Sequence, residues 1–305
     1  MVGLHIGVLF KVEIQIIGVI VDQKENRNQI TISPNQKLST YSSSLVEKGL
    51  EIANQIEIKK AYTISEDELL DFRYKYNQLR KSYTDIPNEF TNYETSNPHN
   101  AKNAFPINLY FDVFDKLGIT DNFVLDYVYY YSHHGGEPLI YAREFDAPPI
   151  ETPDEYFEKR SMERNKFNLG DEPKDETRHL YLDYLNFEKS FLGYFQFGLF
   201  CVVVDRFYRF WHSCYNDRNF ILTRKGLEVY AKQSKTGYEI EKAINKLAID
   251  PRPQVDLDGA KGKVRLIYFD PEGGGLYKLF IYIEWPNKFI KLESETIVEG
   301  YKYLF

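Results

Sequence analysis

The sequence predicts an α+β protein of two subdomains, each with helices packed on a small, mainly antiparallel sheet rich in Tyr and Phe. Segments with a period of two residues are interspersed with segments at helical spacing, which indicates both kinds of element. A chain of 305 residues exceeds the roughly 250–300 residues over which a single core grows. With 25 Tyr and 22 Phe against 2 Trp and 2 Met, aromatic rings must fill much of the core.

The elements of the first part follow from periodicity and from helix capping. Alternation of apolar and polar residues predicts a half-buried strand at 10–16. Leu and Ile at near-helical spacing predict a helix at 42–58. Ser65 and Glu68 have the spacing of a capping box, which opens a second helix that ends near Leu79.

A loop and a hairpin follow. Residues 82–106 are rich in Asn, Thr and Pro without periodicity, so they predict a long surface loop. A short helix is expected at 109–117. The segments 123–131 and 139–143 then predict two strands of a hairpin, and residues 132–138, which contain two His and two Gly, form the connection between them.

A domain boundary is predicted near residue 150. The pair Pro148-Pro149 breaks regular structure there. We therefore expect an N-terminal α+β subdomain at 1–150 and a C-terminal α+β subdomain at 151–305, which contains a long buried helix and a hairpin. A polar stretch at 168–177 has the composition of a linker within the second subdomain.

The second part begins with another capping box. Thr152 and Glu155 have the required spacing and Pro153 occupies the first helical position, so a helix should extend to about residue 165. The elements predicted after it are a long buried helix at 177–215, helices at 223–232 and 237–247, a hairpin of 264–269 and 276–284, and a last strand or short helix at 289–298.

The net charge of −7 is unevenly distributed. Residues 121–188 hold 16 acidic and 7 basic side chains, whereas residues 205–265 hold 8 acidic and 13 basic ones. The overall charge argues weakly against broad nucleic-acid binding. The basic later segment keeps that function open.

Cysteine usage and hydropathy predict a cytoplasmic protein. Cys201 and Cys214 form no C-x-x-C pair, which favours a reducing compartment. The first residues lack the basic segment of an export signal. The apolar run at 199–204 is far shorter than the ~20 residues that cross a bilayer, so no membrane association is expected.

The hairpin connection carries the most reactive side chains. His133, His134 and Glu137 lie within five residues, and Arg143 follows on the return strand. Imidazoles and a carboxylate can bind zinc or act as acid and base, which suggests a metal-assisted hydrolase or nuclease with these four as catalytic residues. Against this hypothesis, adjacent histidines on an extended chain point in different directions. The sequence does not establish a metal site. It contains none of the common phosphate-loop, dinucleotide, esterase or metalloprotease motifs. The cofactor is therefore unknown.

Two further groups are candidate ligand-binding residues. Tyr129 and Tyr131 share one strand face, where a row of rings stacks on a ligand or packs against a neighbouring helix. Arg206, Arg209 and His212 form a polar stripe on the predicted long helix and are suited to an anion. A buried ion-pair network, or simply the solvent-exposed edge of that helix, is the structural alternative for this stripe.

Three functions remain open. The segment 222–284 has the element order of a winged helix and could bind nucleic acid, although two glutamates at the start of the would-be reading helix oppose this. The hydrolase or nuclease hypothesis is the second. The leading hypothesis is an intracellular binding protein that engages a protein partner or a second copy of itself, because interfaces favour Tyr and Arg.

Overall fold

The computed structural model describes residues 19–22, 29–32, 60–166, 181–211, 218–233, 240, 242, 249–270, 274–285 and 289–299. The chain clusters into two compact units, Met1–Lys60 and Ala61–Phe305. In the first unit, strands β1 (Val19–Asp22) and β2 (Gln29–Ile32) pair antiparallel. The strand predicted at 10–16 and the helix predicted at 42–58 lie outside the described residues.

Both helices and strands occur from Lys60 onward. In chain order they are β3 (Lys60–Thr63), α1 (Leu70–Lys81), α2 (Asn88–Thr91), α3 (Tyr110–Val113), β4 (Leu117–Ile119), β5 (Phe123–Ser132), β6 (Gly135–Glu144), α4 (Pro153–Lys166), β7 (Leu185–Phe187), α5 (Phe191–Val203), β8 (Phe210–Trp211), β9 (Asn219–Ile221), α6 (Arg224–Gln233), β10 (Gln254–Asp258), β11 (Lys261–Phe269), β12 (Leu276–Glu284) and β13 (Phe289–Val298).

Among the described residues from Lys60 onward, the strands form three sheets. The largest has the order β13-β12-β11-β10-β3, with β9 paired to the end of β11. A second has the order β5-β6-β8, and β4 pairs with β7 in the third. Every strand pair with a described register is antiparallel. The α+β class predicted from the sequence is therefore confirmed, as are both hairpins and the capped helix at Pro153–Lys166.

Helix α5 lies at the centre of the main core. Eleven of its thirteen residues are buried, so it is apolar on all sides rather than amphipathic. Gly198 lets the helix approach the large sheet, because a Cβ there would lie 3.3 Å from Val264 and 3.4 Å from Ile281. The core cluster around α5 takes residues from both sides of residue 150. The predicted division at that residue stays a prediction.

The long helix predicted at 177–215 is wrong in extent. The chain instead forms strand β7 before α5, and α5 begins where the Ser190 hydroxyl accepts a hydrogen bond from the Gly193 amide (3.1 Å). The helix ends at Val203 and a turn follows. The predicted stripe therefore divides: Arg206 and Arg209 lie in this turn, and His212 lies outside the described residues.

The surface loop predicted at 82–106 is a segment packed on the core. It contains α2 and a single 3-10 turn at Pro98–Asn100. Phe90, Asn97 and Phe105 are each at most 2% exposed. Their burial explains how a stretch without periodicity remains ordered, since single large side chains attach it to the core.

The capping box before α1 is formed as predicted. The Glu68 amide donates to the Ser65 hydroxyl (3.2 Å), and the Ser65 amide donates to the Glu68 carboxylate (2.9 Å). The Ser65 hydroxyl also bonds that carboxylate, which lowers the pKa of Glu68.

Substituting Ser65→Ala is expected to lower the free energy of unfolding by about 1 kcal/mol, because the Glu68 amide, in the turn that leads into α1, loses its acceptor. Urea denaturation measures this change. Thr84→Ala is the matched control, since the Thr84 hydroxyl only reaches the Lys81 carbonyl at 3.5 Å. Equal effects of the two substitutions would show that the box contributes nothing specific.

Candidate functional site

The tip of the β5–β6 hairpin is tighter than predicted. Ser132 pairs with Gly135 and Tyr130 with Glu137, so only His133 and His134 form the turn. The two glycines predicted for the connection instead belong to strand β6, and they also pair with β8. The loop of residues 132–138 is thus corrected to a two-residue turn.

Gly136 lies inside strand β6 at a position where a larger residue would not fit. A Cβ at this position would lie 2.3 Å from the Tyr129 hydroxyl and 2.8 Å from the Phe210 ring. The Tyr129 hydroxyl passes under the strand and donates to the Tyr208 carbonyl (2.7 Å). Glycine in a strand interior is typical of such a close approach.

A pocket opens on the outer face of the hairpin tip. Its volume is ≈ 200 Å³. Tyr130 and Glu137 are cross-strand partners and therefore share this face, as successive side chains of a strand alternate between faces. The lining residues are Tyr130, Ser132, Gly135, Gly136, Glu137, Arg209 and Phe210.

The charged groups of the pocket form a chain of ion pairs. Arg209 Nη2 lies 3.3 Å from Glu137 Oε2, and Arg209 Nη1 lies 3.5 Å from Asp205 Oδ2. On the other side of Asp205, Arg206 Nε lies 3.7 Å from Oδ1. The structure thus brings together Glu137 and Arg209, which the sequence assigned to different groups. Arg206 and Arg209 form ion pairs that are partly exposed, and their role in ligand binding stays a prediction.

Aromatic side chains contact the turn that contains Arg209. Tyr208 has a φ of 58°, which is uncommon for a residue with a Cβ. Such a conformation persists only where the surroundings impose it. The Tyr129 hydroxyl bonds the Tyr208 carbonyl, and burial raises the pKa of the Tyr208 hydroxyl to about 12.

The two predicted ligand-binding tyrosines lie on the inner face of the hairpin. Tyr129 is 1% exposed, and its ring stacks on Phe90 with a centroid distance of 4.7 Å. Tyr131 is half-buried and its ring contacts those of Tyr93 (4.8 Å) and Phe210 (5.8 Å). The packing alternative therefore describes both side chains, and their role in ligand binding stays a prediction.

The two histidines do not join Glu137 in a metal site. His133 faces the Tyr93 ring at 6.4 Å, and His134 is exposed at the turn. Across the residues that the structure describes, no three His, Cys, Asp or Glu side chains are placed to hold a metal ion. Burial raises the pKa of the Cys201 thiol, which opposes its use as a nucleophile. The hydrolase or nuclease hypothesis stays a prediction.

Arg143, the fourth predicted catalytic residue, lies in a buried polar cluster away from the pocket lining. Its Nε donates to Asp126 Oδ2 (2.7 Å), and the same oxygen lies 2.8 Å from His99 Nε2. Arg143 Nη1 donates to the carbonyls of the turn after β6, those of Glu144, Phe145 and Ala147. Asp126 and His99 were not among the site residues predicted from the sequence. Asp126 can be recognised there as a lone acidic residue within an apolar strand.

The outer face of β11 and β12 was part of the predicted nucleic-acid segment, and β13 continues the same face. Three of its lysines form ion pairs with carboxylates, which reduces the positive charge that the face presents to phosphates. Ile240 and Lys242 are helical, but the rest of the would-be reading helix lies outside the described residues. The cross-strand and same-strand ion pairs on this face are Lys261–Glu284 (2.8 Å), Lys278–Glu295 (3.1 Å) and Lys291–Glu293 (3.0 Å).

Comparisons with protein-family models, with curated proteins and with solved structures found no match to this chain. Each helix within the described ranges is too short or too polar to cross a membrane. The proposed function therefore rests on the residues of the site.

Proposed function

We propose that this protein binds a protein partner by taking one of the partner's side chains into the pocket between Tyr130, Glu137 and Arg209. The observation that supports this proposal is the pocket, a concave site where an exposed ring and two charged groups meet. The partner could be another protein or a second copy of this chain. A cytoplasmic location is proposed with it, since the buried Cys201 is a free thiol.

The size of the pocket supports a side chain as its occupant. Sites for small molecules and cofactors have volumes of roughly 300–1,000 Å³. A pocket of ≈ 200 Å³ is below that range and suits a single large side chain. Such a pocket is what a buried anchor residue of a protein interface requires.

The surroundings of the pocket also favour a protein interface. Tyr130 is 39% exposed, and the ring of Phe157, which is 40% exposed, contacts it edge-to-face at 6.2 Å. Arg209 adds a charged group that contacts two carboxylates, those of Glu137 and Asp205. Tyr and Arg dominate the energetics of protein interfaces, because they combine a large contact area with directional hydrogen bonds.

The test is a selection of random displayed peptides on the wild-type protein, followed by affinity measurement with Tyr130→Ala. We expect the dissociation constant of the selected peptides to rise about 30-fold, which corresponds to a hot-spot loss of about 2 kcal/mol. Fluorescence polarisation of the labelled peptides measures it.

Tyr74→Ala is the matched control. Tyr74 is 66% exposed on α1 and is not among the pocket residues, so this variant should bind the same peptides unchanged. If selection yields no peptide, or only peptides that bind Tyr130→Ala as tightly as the wild type, the pocket is not the binding site.

A further inference from the structure

We infer that the side chain accepted by the pocket is cationic, an arginine or a lysine of the partner. This inference rests on the proposed function and specifies the chemistry of the occupant. Three observations support it. The carboxylate of Glu137 can accept a further contact, and the Tyr130 ring lies beside it. An anion in the same place would lie next to two carboxylates.

The carboxylate of Glu137 is the available charge. It contacts Arg209 through one oxygen, Oε2, at 3.3 Å, and its side chain is 39% exposed. A single contact between partly exposed groups contributes little stability, so a second cation can share or replace it. Oε1 of the same carboxylate is the acceptor that we assign to the partner's ammonium or guanidinium group.

The guanidinium of Arg209 is the less available charge. Its two terminal nitrogens each have a carboxylate, Glu137 on one side and Asp205 on the other. An Arg binds a carboxylate most strongly through two parallel hydrogen bonds from this fork. An incoming anion would have to displace a carboxylate from the fork and would then lie next to both of them. The arrangement therefore opposes an acidic side chain.

Tyr130 provides the second half of the site. It is the direct cross-strand partner of Glu137, so its ring lies beside the carboxylate on the same face of the hairpin. The methylene stem of a Lys or Arg can pack on this ring while its charge reaches Glu137. A cation near the face of an aromatic ring is further stabilised by the ring's electron density.

The same combination already occurs on this face of the hairpin. Lys159 of α4 places its ammonium 5.5 Å from the centroid of the Tyr141 ring. Tyr141 lies on β6, an even number of residues from Glu137, so the two side chains share a face. The pocket contains a similar ring, Tyr130, beside the carboxylate of Glu137, and the partner's cation would complete the same pairing of ring and cation.

The experiment titrates the wild-type protein with four probes, the N-acetyl methylamides of arginine, lysine, norleucine and glutamate. Binding is followed through the NMR signals of isotope-labelled tyrosine rings, with the Tyr130 signal assigned by its loss in Tyr130→Phe. We expect saturable shifts of the Tyr130 signal with arginine and lysine. Dissociation constants for norleucine and glutamate should be at least about tenfold higher.

Glu137→Gln retains the shape of the side chain and removes its charge, so the dissociation constant of the arginine probe should rise about tenfold. The control is Glu144→Gln, the same change on an exposed residue at the opposite end of β6. Equal or tighter binding of norleucine or glutamate would overturn the cation and leave the side-chain pocket intact. Absence of any saturable shift with arginine and lysine would overturn the inference too. The proposed function fails separately, when selection yields no peptide or when the selected peptides bind Tyr130→Ala as tightly as the wild type.

Discussion

Substituting Asp126→Ala is expected to lower the free energy of unfolding by about 3–5 kcal/mol, because it leaves a nearly buried guanidinium without its counter-charge. The side chain of Asp126 is 5% exposed and that of Arg143 is 14% exposed. Asp126 Oδ1 also accepts the Tyr127 amide (2.9 Å), so one substitution removes the acceptor of three donors. The Tyr127 amide and the Arg143 guanidinium are the buried donors of the three, and buried donors that lose their acceptor cost far more than the bond itself contributes.

Urea denaturation of the two variants Asp126→Ala and Asp121→Ala measures the effect. Asp121 is exposed in the turn before β5, and its substitution should change the free energy of unfolding by less than about 0.5 kcal/mol. A double-mutant cycle with Arg143→Met then isolates the coupling between the two charged side chains. A cost below about 1 kcal/mol for Asp126→Ala would mean that water reaches the cluster and solvates it.

The position of Arg143 bears on its predicted catalytic role. Its guanidinium is occupied by Asp126 on one side and by carbonyls of the turn after β6 on the other. This set of bonds joins the middle of strand β5 to the end of β6. These bonds account for a structural role of Arg143 in the hairpin, and its predicted catalytic role stays a prediction.

Local signals in the sequence predicted the helix starts and the hairpins. A capping box needs only two side chains three positions apart, and both boxes, at Ser65–Glu68 and Thr152–Glu155, precede helices. Hairpins are similarly local, since the turn and the alternation of each strand fix the register. These features depend on neighbours within a few residues, which the sequence displays directly.

Features that depend on distant residues were not predictable in the same way. The extent of α5 could not be read from periodicity, because a helix buried on all sides has no polar face to follow. In the sequence, Gly136 indicated a turn. In the structure, glycine is required there because the Tyr129 hydroxyl and the Phe210 ring, which belongs to another strand, lie too close for a Cβ. The pocket likewise depends on Arg209 reaching Glu137 across a long stretch of chain.

Phe207→Ala tests how the pocket is held in place, and it is expected to lower the free energy of unfolding by about 3–5 kcal/mol. Phe207 is fully buried, and its ring contacts those of Phe105 and Tyr127 at centroid distances of 4.9 Å each. Truncation would remove these contacts and leave a cavity that the surrounding rings cannot fill without moving.

Phe145→Ala is the control for this substitution. Phe145 is 74% exposed, so removing the same ring there should change the free energy of unfolding by less than about 0.5 kcal/mol. Because Phe207 immediately precedes the strained Tyr208 and lies two residues before Arg209, the cavity should also release the turn that positions the guanidinium. We therefore expect the folded Phe207→Ala protein, measured below its denaturation midpoint, to bind the selected peptides less tightly than wild type. Unchanged peptide affinity in a destabilised protein would show that Glu137 and Asp205 hold Arg209 in place without the ring beneath them.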